Sequence, residues 1–138
     1  MRSSRRAALA SLGAGALLAA LVPAGSALAS DDDPDRDEVR VAGRCGAGAT
    51  AKLKLERDDG ALEVELEVDQ NRNGVAWRVA IVHERRVAWK GTRRTRPPSG
   101  SFTVERILTD LPGADTVTAR AIGPNGLTCR AAATLPAS

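Results

Sequence analysis

The chain has no tyrosine, one phenylalanine, two tryptophans, one histidine and two cysteines in 138 residues. Each scarcity excludes something. Carbohydrate modules and single-strand nucleic-acid binders work through exposed aromatic platforms. Here Trp77, Trp89 and Phe102 all sit at inward positions of alternating segments, so recognition by stacking is disfavoured. A general base needs a nucleophile or an orienting partner. His83 stands beside Glu84 in an expected turn with neither, and reads as a solvated turn residue. Cys45 and Cys129 have no nearby histidine and no third thiol, so they make neither a zinc set nor a catalytic pair. No stretch has helical periodicity. The chain therefore reads as non-enzymatic, with no catalytic residue, metal or cofactor expected.

What is present begins with an export pattern. Arg2, Arg5 and Arg6 form a basic start, Ala7–Val22 is an apolar run, and Ala27-Leu28-Ala29 is a small-residue cleavage site. Residues 1–29 read as a secretory signal peptide. Ser4-Arg5-Arg6 also fits twin-arginine export, but the large apolar residues expected after the pair are weak, which favours the general route. Cleavage leaves no transmembrane segment and places the protein outside the cell, secreted or held at the envelope. The formal charge of +3 comes from 20 basic and 17 acidic residues. Removing three arginines leaves 17 of each, so the precursor's basicity is no argument for a specific nucleic-acid partner. Residues 30–37 are acidic, contain Pro34 and read as a disordered leader.

Residues 38–136 read as one all-β domain. On Ala61–Asp69, Leu62, Val64, Leu66 and Val68 alternate with carboxylates. On Val75–Val82, Val75, Trp77, Val79 and Ile81 alternate with Ala76, Arg78 and Ala80. A period of two is a half-buried strand. Asn73-Gly74 tolerates the positive φ angles of a tight turn and predicts a hairpin, with Val68 facing Val79 and Asp69 facing Arg78. Asp59-Gly60 predicts a second hairpin that sets Lys54 opposite Glu65 and Lys52 opposite Glu67. Glu38–Cys45 is an opening strand with Val39, Val41 and Cys45 on one face. Val87 and Trp89 are expected inward, and Thr92–Ser99, with Pro97-Pro98, cannot be a central strand. Ser101–Leu108, Thr116–Ile122 and Leu127–Leu135 complete the set, the last two joined at Pro124-Asn125-Gly126. Seven or eight short strands give an antiparallel β-sandwich. In an exported chain an even cysteine pair suggests a disulfide. Cys45 and Cys129 have inward parity on the two end strands. Their bond would close a loop of about 85 residues, worth at most roughly 4–5 kcal/mol on the chain-entropy model.

The run Ile107–Ala119, ILTDLPGADTVTA, resembles the E–F corner of fibronectin type III and related immunoglobulin-like domains. Trp77 stands where such domains keep a buried tryptophan on strand C. The resemblance implies an immunoglobulin-like sandwich. Its departures are the missing corner tyrosine and a disulfide between end strands. The overall layout resembles small secreted actinobacterial proteins, a likeness that implies no activity.

Two further patterns have ordinary explanations. Glu63, Glu65 and Glu67 recur about 7 Å apart, a separation open to a glycosidase pair, but they face outward with lysines opposite. Asp69–Gly74 matches the first half of a calcium loop, yet the twelfth position is Ala80 and Arg72 and Arg78 oppose a dication. The segment with functional promise is basic: Arg85, Arg86, Lys90, Arg93, Arg94 and Arg96. Arginine clusters hold phosphate, sulfate or carboxylate polymers, and charged residues also protect an edge strand. The sequence thus suggests an exported binding or interaction module. Its partner would be an anionic envelope polymer or a secreted protein. The acidic leader is a potential mask for the strip. The alternative is a protease inhibitor that presents Arg93–Pro98 as a stiff exposed loop.

Overall fold

In the computed structural model the described residues are 37–138. The expected signal peptide and all but the last residue of the acidic leader lie outside them. Nine strands follow: β1 Glu38–Ala42, β2 Arg44–Cys45, β3 Thr50–Asp58, β4 Ala61–Asp69, β5 Ala76–His83, β6 Arg86–Arg94, β7 Ser101–Thr109, β8 Asp115–Ile122 and β9 Thr128–Leu135. They form a four-stranded sheet, β1-β3-β4-β7, and a five-stranded sheet, β2-β9-β8-β5-β6. Every pairing is antiparallel. The result is the antiparallel sandwich that the alternating segments predict.

The core is made by that alternation. Leu53, Leu55, Leu62, Val64, Leu66 and Val68 fill the inner face of the first sheet. The second contributes Trp77 and Ile81, but its β8 and β9 present mainly Ala119, Ala121, Ala131 and Ala133. Large side chains on one sheet thus meet small ones on the other, which lets the two inner faces pack closely. Trp77 is fully buried, its ring centroid 6.2 Å from that of Phe102. Its indole N–H donates to Gln70 Oε1 at 2.9 Å, so the buried donor is satisfied.

The strand count exceeds the expected one because the opening segment splits. β1 pairs with β3 in one sheet and β2 with β9 in the other. Gly43 is the joint: a Cβ there would stand 2.9 Å from Ala51 Cβ and 3.1 Å from the Arg130 carbonyl oxygen. Cys45 and Cys129 are direct cross-strand partners and form the disulfide. Cys129 is buried and Cys45 half-buried. The bond therefore pins the two-residue β2 to β9 within one sheet.

The Asp59-Gly60 hairpin forms as expected, with Lys52 opposite Glu67 and Lys54 opposite Glu65. The Asn73-Gly74 hairpin does not. β4 lies between β3 and β7, while β5 lies between β6 and β8 in the other sheet. Alternation marks which side of a strand is buried but not which strand lies beside it. Residues 70–75 are instead a crossover held by local bonds. The Asp69 carboxylate accepts the Asn71 N–H, and Gln70 N–H donates to the Gly100 carbonyl. Thr95 Oγ1 donates to the Arg72 carbonyl and accepts the Val75 N–H. Gly100, at φ +74°, passes so close to Arg72 that any Cβ would clash with its backbone nitrogen.

Val87 is a second correction. It is 61% exposed, not inward. Ile81 pairs with Trp89 but Val82 pairs with Val87, so a bulge places one extra residue in β6. One extra residue moves everything beyond it to the opposite face. Trp89 keeps its inward side but is only half-buried at the sheet edge. It lies flat along β6 because Gly91 has no Cβ, which would otherwise sit 2.6 Å from the indole.

Candidate functional site

The five-stranded sheet has an inner face in the core and an outer face in solvent. On the outer face stand Arg44 of β2, Arg130 of β9, Arg120 of β8, Arg78 of β5, and Lys90 and Arg94 of β6, all exposed. Only one carboxylate occurs in these five strands, Asp115, and it is fully buried. None of the six cations has an ion-pair partner among the described residues. The registers align four of them in one row across the strands. Arg44 is opposite Arg130, Arg130 opposite Arg120, Arg120 opposite Ala80 and Ala80 opposite Lys90. Like charges directly opposite one another destabilise a sheet, so this row opposes folding.

The other sheet carries the reverse sign. Its outer positions hold Glu38, Glu56, Glu63, Glu65, Glu67, Asp69 and Glu105 against Arg40, Lys52 and Lys54. Here partners exist: Lys54 reaches Glu56 at 2.7 Å, and the Arg40 guanidinium bonded to Glu38 holds that exposed carboxyl below the ordinary range. The carboxylates Glu63, Glu65 and Glu67 face outward, as the alternation predicts.

The sequence strip Arg85–Arg96 does not stay together. Arg85 lies in the β5–β6 turn at φ 68°. Arg86 pairs with His83 on the inner side, beyond the bulge. Lys90 and Arg94 belong to the outer face. Arg93 points to the inner side, where its guanidinium lies 4.7 Å from the Trp89 ring centroid; that of Arg106 lies 4.6 Å from the same ring. Arg96 bridges to Ser101 past the end of β6. Arg93 and Arg94 are the last residues of β6, paired with Trp77 and Ala76. The expected Arg93–Pro98 loop is therefore shorter than the sequence suggests, because two of its residues are in the ladder. The cations missed by sequence reading are Arg44, Arg78, Arg120 and Arg130. Their signal was outward parity repeated over separate strands, which a scan for local clusters passes over.

His83 is the third correction. It ends β5, is buried, and its Nε2 lies 2.6 Å from Asp115 Oδ1. The same oxygen accepts the Leu111 N–H at 3.3 Å. Arg57 completes the group, with Nε 3.0 Å from Asp110 Oδ2 and Nη2 3.6 Å from Asp115 Oδ2. Burial alone would raise the Asp115 carboxyl. Hydrogen bonds involving Asp110, His83 and the Leu111 N–H outweigh it and hold the group below the ordinary carboxylate range. The only hydrogen-bond partner of the His83 side chain among the described residues is Asp115, so the pair ties β5 to the β7–β8 corner.

No family model matches the chain, and no curated protein matches it. Among solved structures it is similar to chicken MD-1 complexed with lipid IVa, at 8% identity and a TM-score of 0.28, over 68% of this chain and 96% of that one. A likeness at that score carries no ligand or activity over to this chain.

Proposed function

We propose that the domain is an exported, non-enzymatic binding module that holds an anionic polymer of the cell envelope against the outer face of its five-stranded sheet. The carrying observation is the row Arg44–Arg130–Arg120–Lys90 with no carboxylate beside it. Cations set opposite one another cost stability, and an external polyanion relieves that cost. Arginine suits the role because its planar fork donates two parallel hydrogen bonds to an oxyanion. The strip recognised in the sequence contributes Lys90 and Arg94; Arg78, Arg120, Arg130 and Arg44 extend it over the whole face.

The test is fractionation of producing cells at low and high salt, with the wild type and the Arg120→Glu/Arg130→Glu double variant. The wild type should stay with the envelope at low salt and wash off at high salt. The double variant should be found in the medium at both. Wild-type protein in the medium at both salts would end the proposal.

A further inference from the structure

At the centre of the basic face is a small residue. Ala80 lies between Arg120 on one neighbouring strand and Lys90 on the other. Arg78 is two residues away on the same strand and the same face, roughly 7 Å along it. A shallow cleft of about 490 Å³ opens there, lined by Arg78, Ala80, Lys90, Thr92, Arg120 and Ile122 among others. No carboxylate lines it. Neighbouring strands are about 4.8 Å apart. The row therefore roots its cationic residues on successive strands about 5 Å apart from Arg44 to Arg120, then one open position, then Lys90.

We infer that the depression over Ala80 is a subsite for one tetrahedral oxyanion, a backbone phosphoryl group of a base-free polymer laid across the strands along this row. The inference rests on the polyanion reading above and assigns its chemistry. Three cations on three strands, Arg78, Lys90 and Arg120, line this one cleft. A backbone phosphoryl group carries its charge within the chain that lies along the row, whereas polyglutamate must also order a rotatable side chain for each carboxylate it places there. The outer face carries no aromatic side chain, so it offers nothing on which bases would stack. That favours a polyol-phosphate or polyphosphate chain over a nucleic acid. The methyl group of Ala80 is what keeps the position open.

The experiment compares binding of inorganic polyphosphate, polyglutamate, dextran sulfate and single-stranded DNA, at matched charge and salt, to the wild-type protein and to Ala80→Leu. Leucine fills the depression and leaves every cation in place. The wild type should bind polyphosphate about tenfold more tightly than polyglutamate, and Ala80→Leu should erase that preference while leaving polyglutamate binding unchanged. A wild-type preference for polyphosphate that survives in Ala80→Leu would overturn the subsite and leave the face intact. A wild type that binds none of the polymers would overturn the face reading itself. Equal or tighter binding of dextran sulfate, or of DNA, would overturn the phosphoryl or base-free assignment respectively. A second measurement needs no variant: titration of the wild type with inorganic phosphate, followed through backbone amide resonances. Shifts centred on Ala80, Lys90 and Arg120 are expected; shifts absent there would overturn the subsite.

Discussion

At the scale of single residues, Asp115 decides most. The Asp115 carboxylate accepts the Leu111 N–H across the β7–β8 corner while also holding His83. Asp115→Asn should cost about 3–5 kcal/mol at neutral pH, the usual penalty for breaking a buried ionic group by removing one partner; chemical denaturation reads it. The acid dependence has a fixed sign. Folded Asp115 gives up its proton more readily than the unfolded residue, so its contribution is complete above the ordinary carboxylate value. It is lost as pH falls through the lower, folded value. The wild type should lose stability over that acidic window and Asp115→Asn should lose less; an identical acid limb in both would remove Asp115 as the cause. None of this was legible locally, because His83 and Asp115 are 32 residues apart. By contrast, the buried positions of β3, β4, β8 and β9 could be named from alternation alone, since each strand has one wet face.

At the scale of elements, the sequence disclosed strands and faces better than neighbours. The β3–β4 register could be read because a two-residue turn and two lysine–glutamate pairs agree on it. At Asn73-Gly74 a turn signal of the same kind sits in a crossover, since β4 already has a neighbour on each edge. The bulge in β6 hid Val87 for a similar reason: an inserted residue leaves no mark in the spacing of side chains until the partner strand is known. The disulfide was legible in identity and fixes an element that has little else. β2 has two residues and pairs only with β9. Cys45→Ala/Cys129→Ala should lower stability by up to about 4–5 kcal/mol on the chain-entropy model, read as the shift of the urea midpoint. It should also speed amide exchange at Arg44 and Cys45 beyond the global effect. Protection there equal to the wild type's would show that the ladder holds β2 without the bond.

At the scale of the whole molecule, the two sheets give the sandwich one basic and one acidic side, although freeing the chain of residues 1–29 would leave equal numbers of each sign. Net charge and local clusters both conceal this, because the segregation exists only once strands from distant parts of the chain share a sheet. At low salt and neutral pH such a protein should be retained by both a cation and an anion exchanger. Arg120→Glu/Arg130→Glu should lose the first retention and keep the second. Passage through both resins would show that the charges do not act as faces. Arg57 adds something at this scale. Its backbone N–H donates to the Asp37 carbonyl at 2.7 Å, and its guanidinium donates to the Pro136 carbonyl at 3.0 Å. One residue thus clasps both ends of the described chain at a single pole. Joining residues 37 and 136 by a short linker and reopening the chain at the Asp59-Gly60 turn should therefore give a folded circular permutant, checked by its urea midpoint. A tether joined at either end would hold the domain by that same pole.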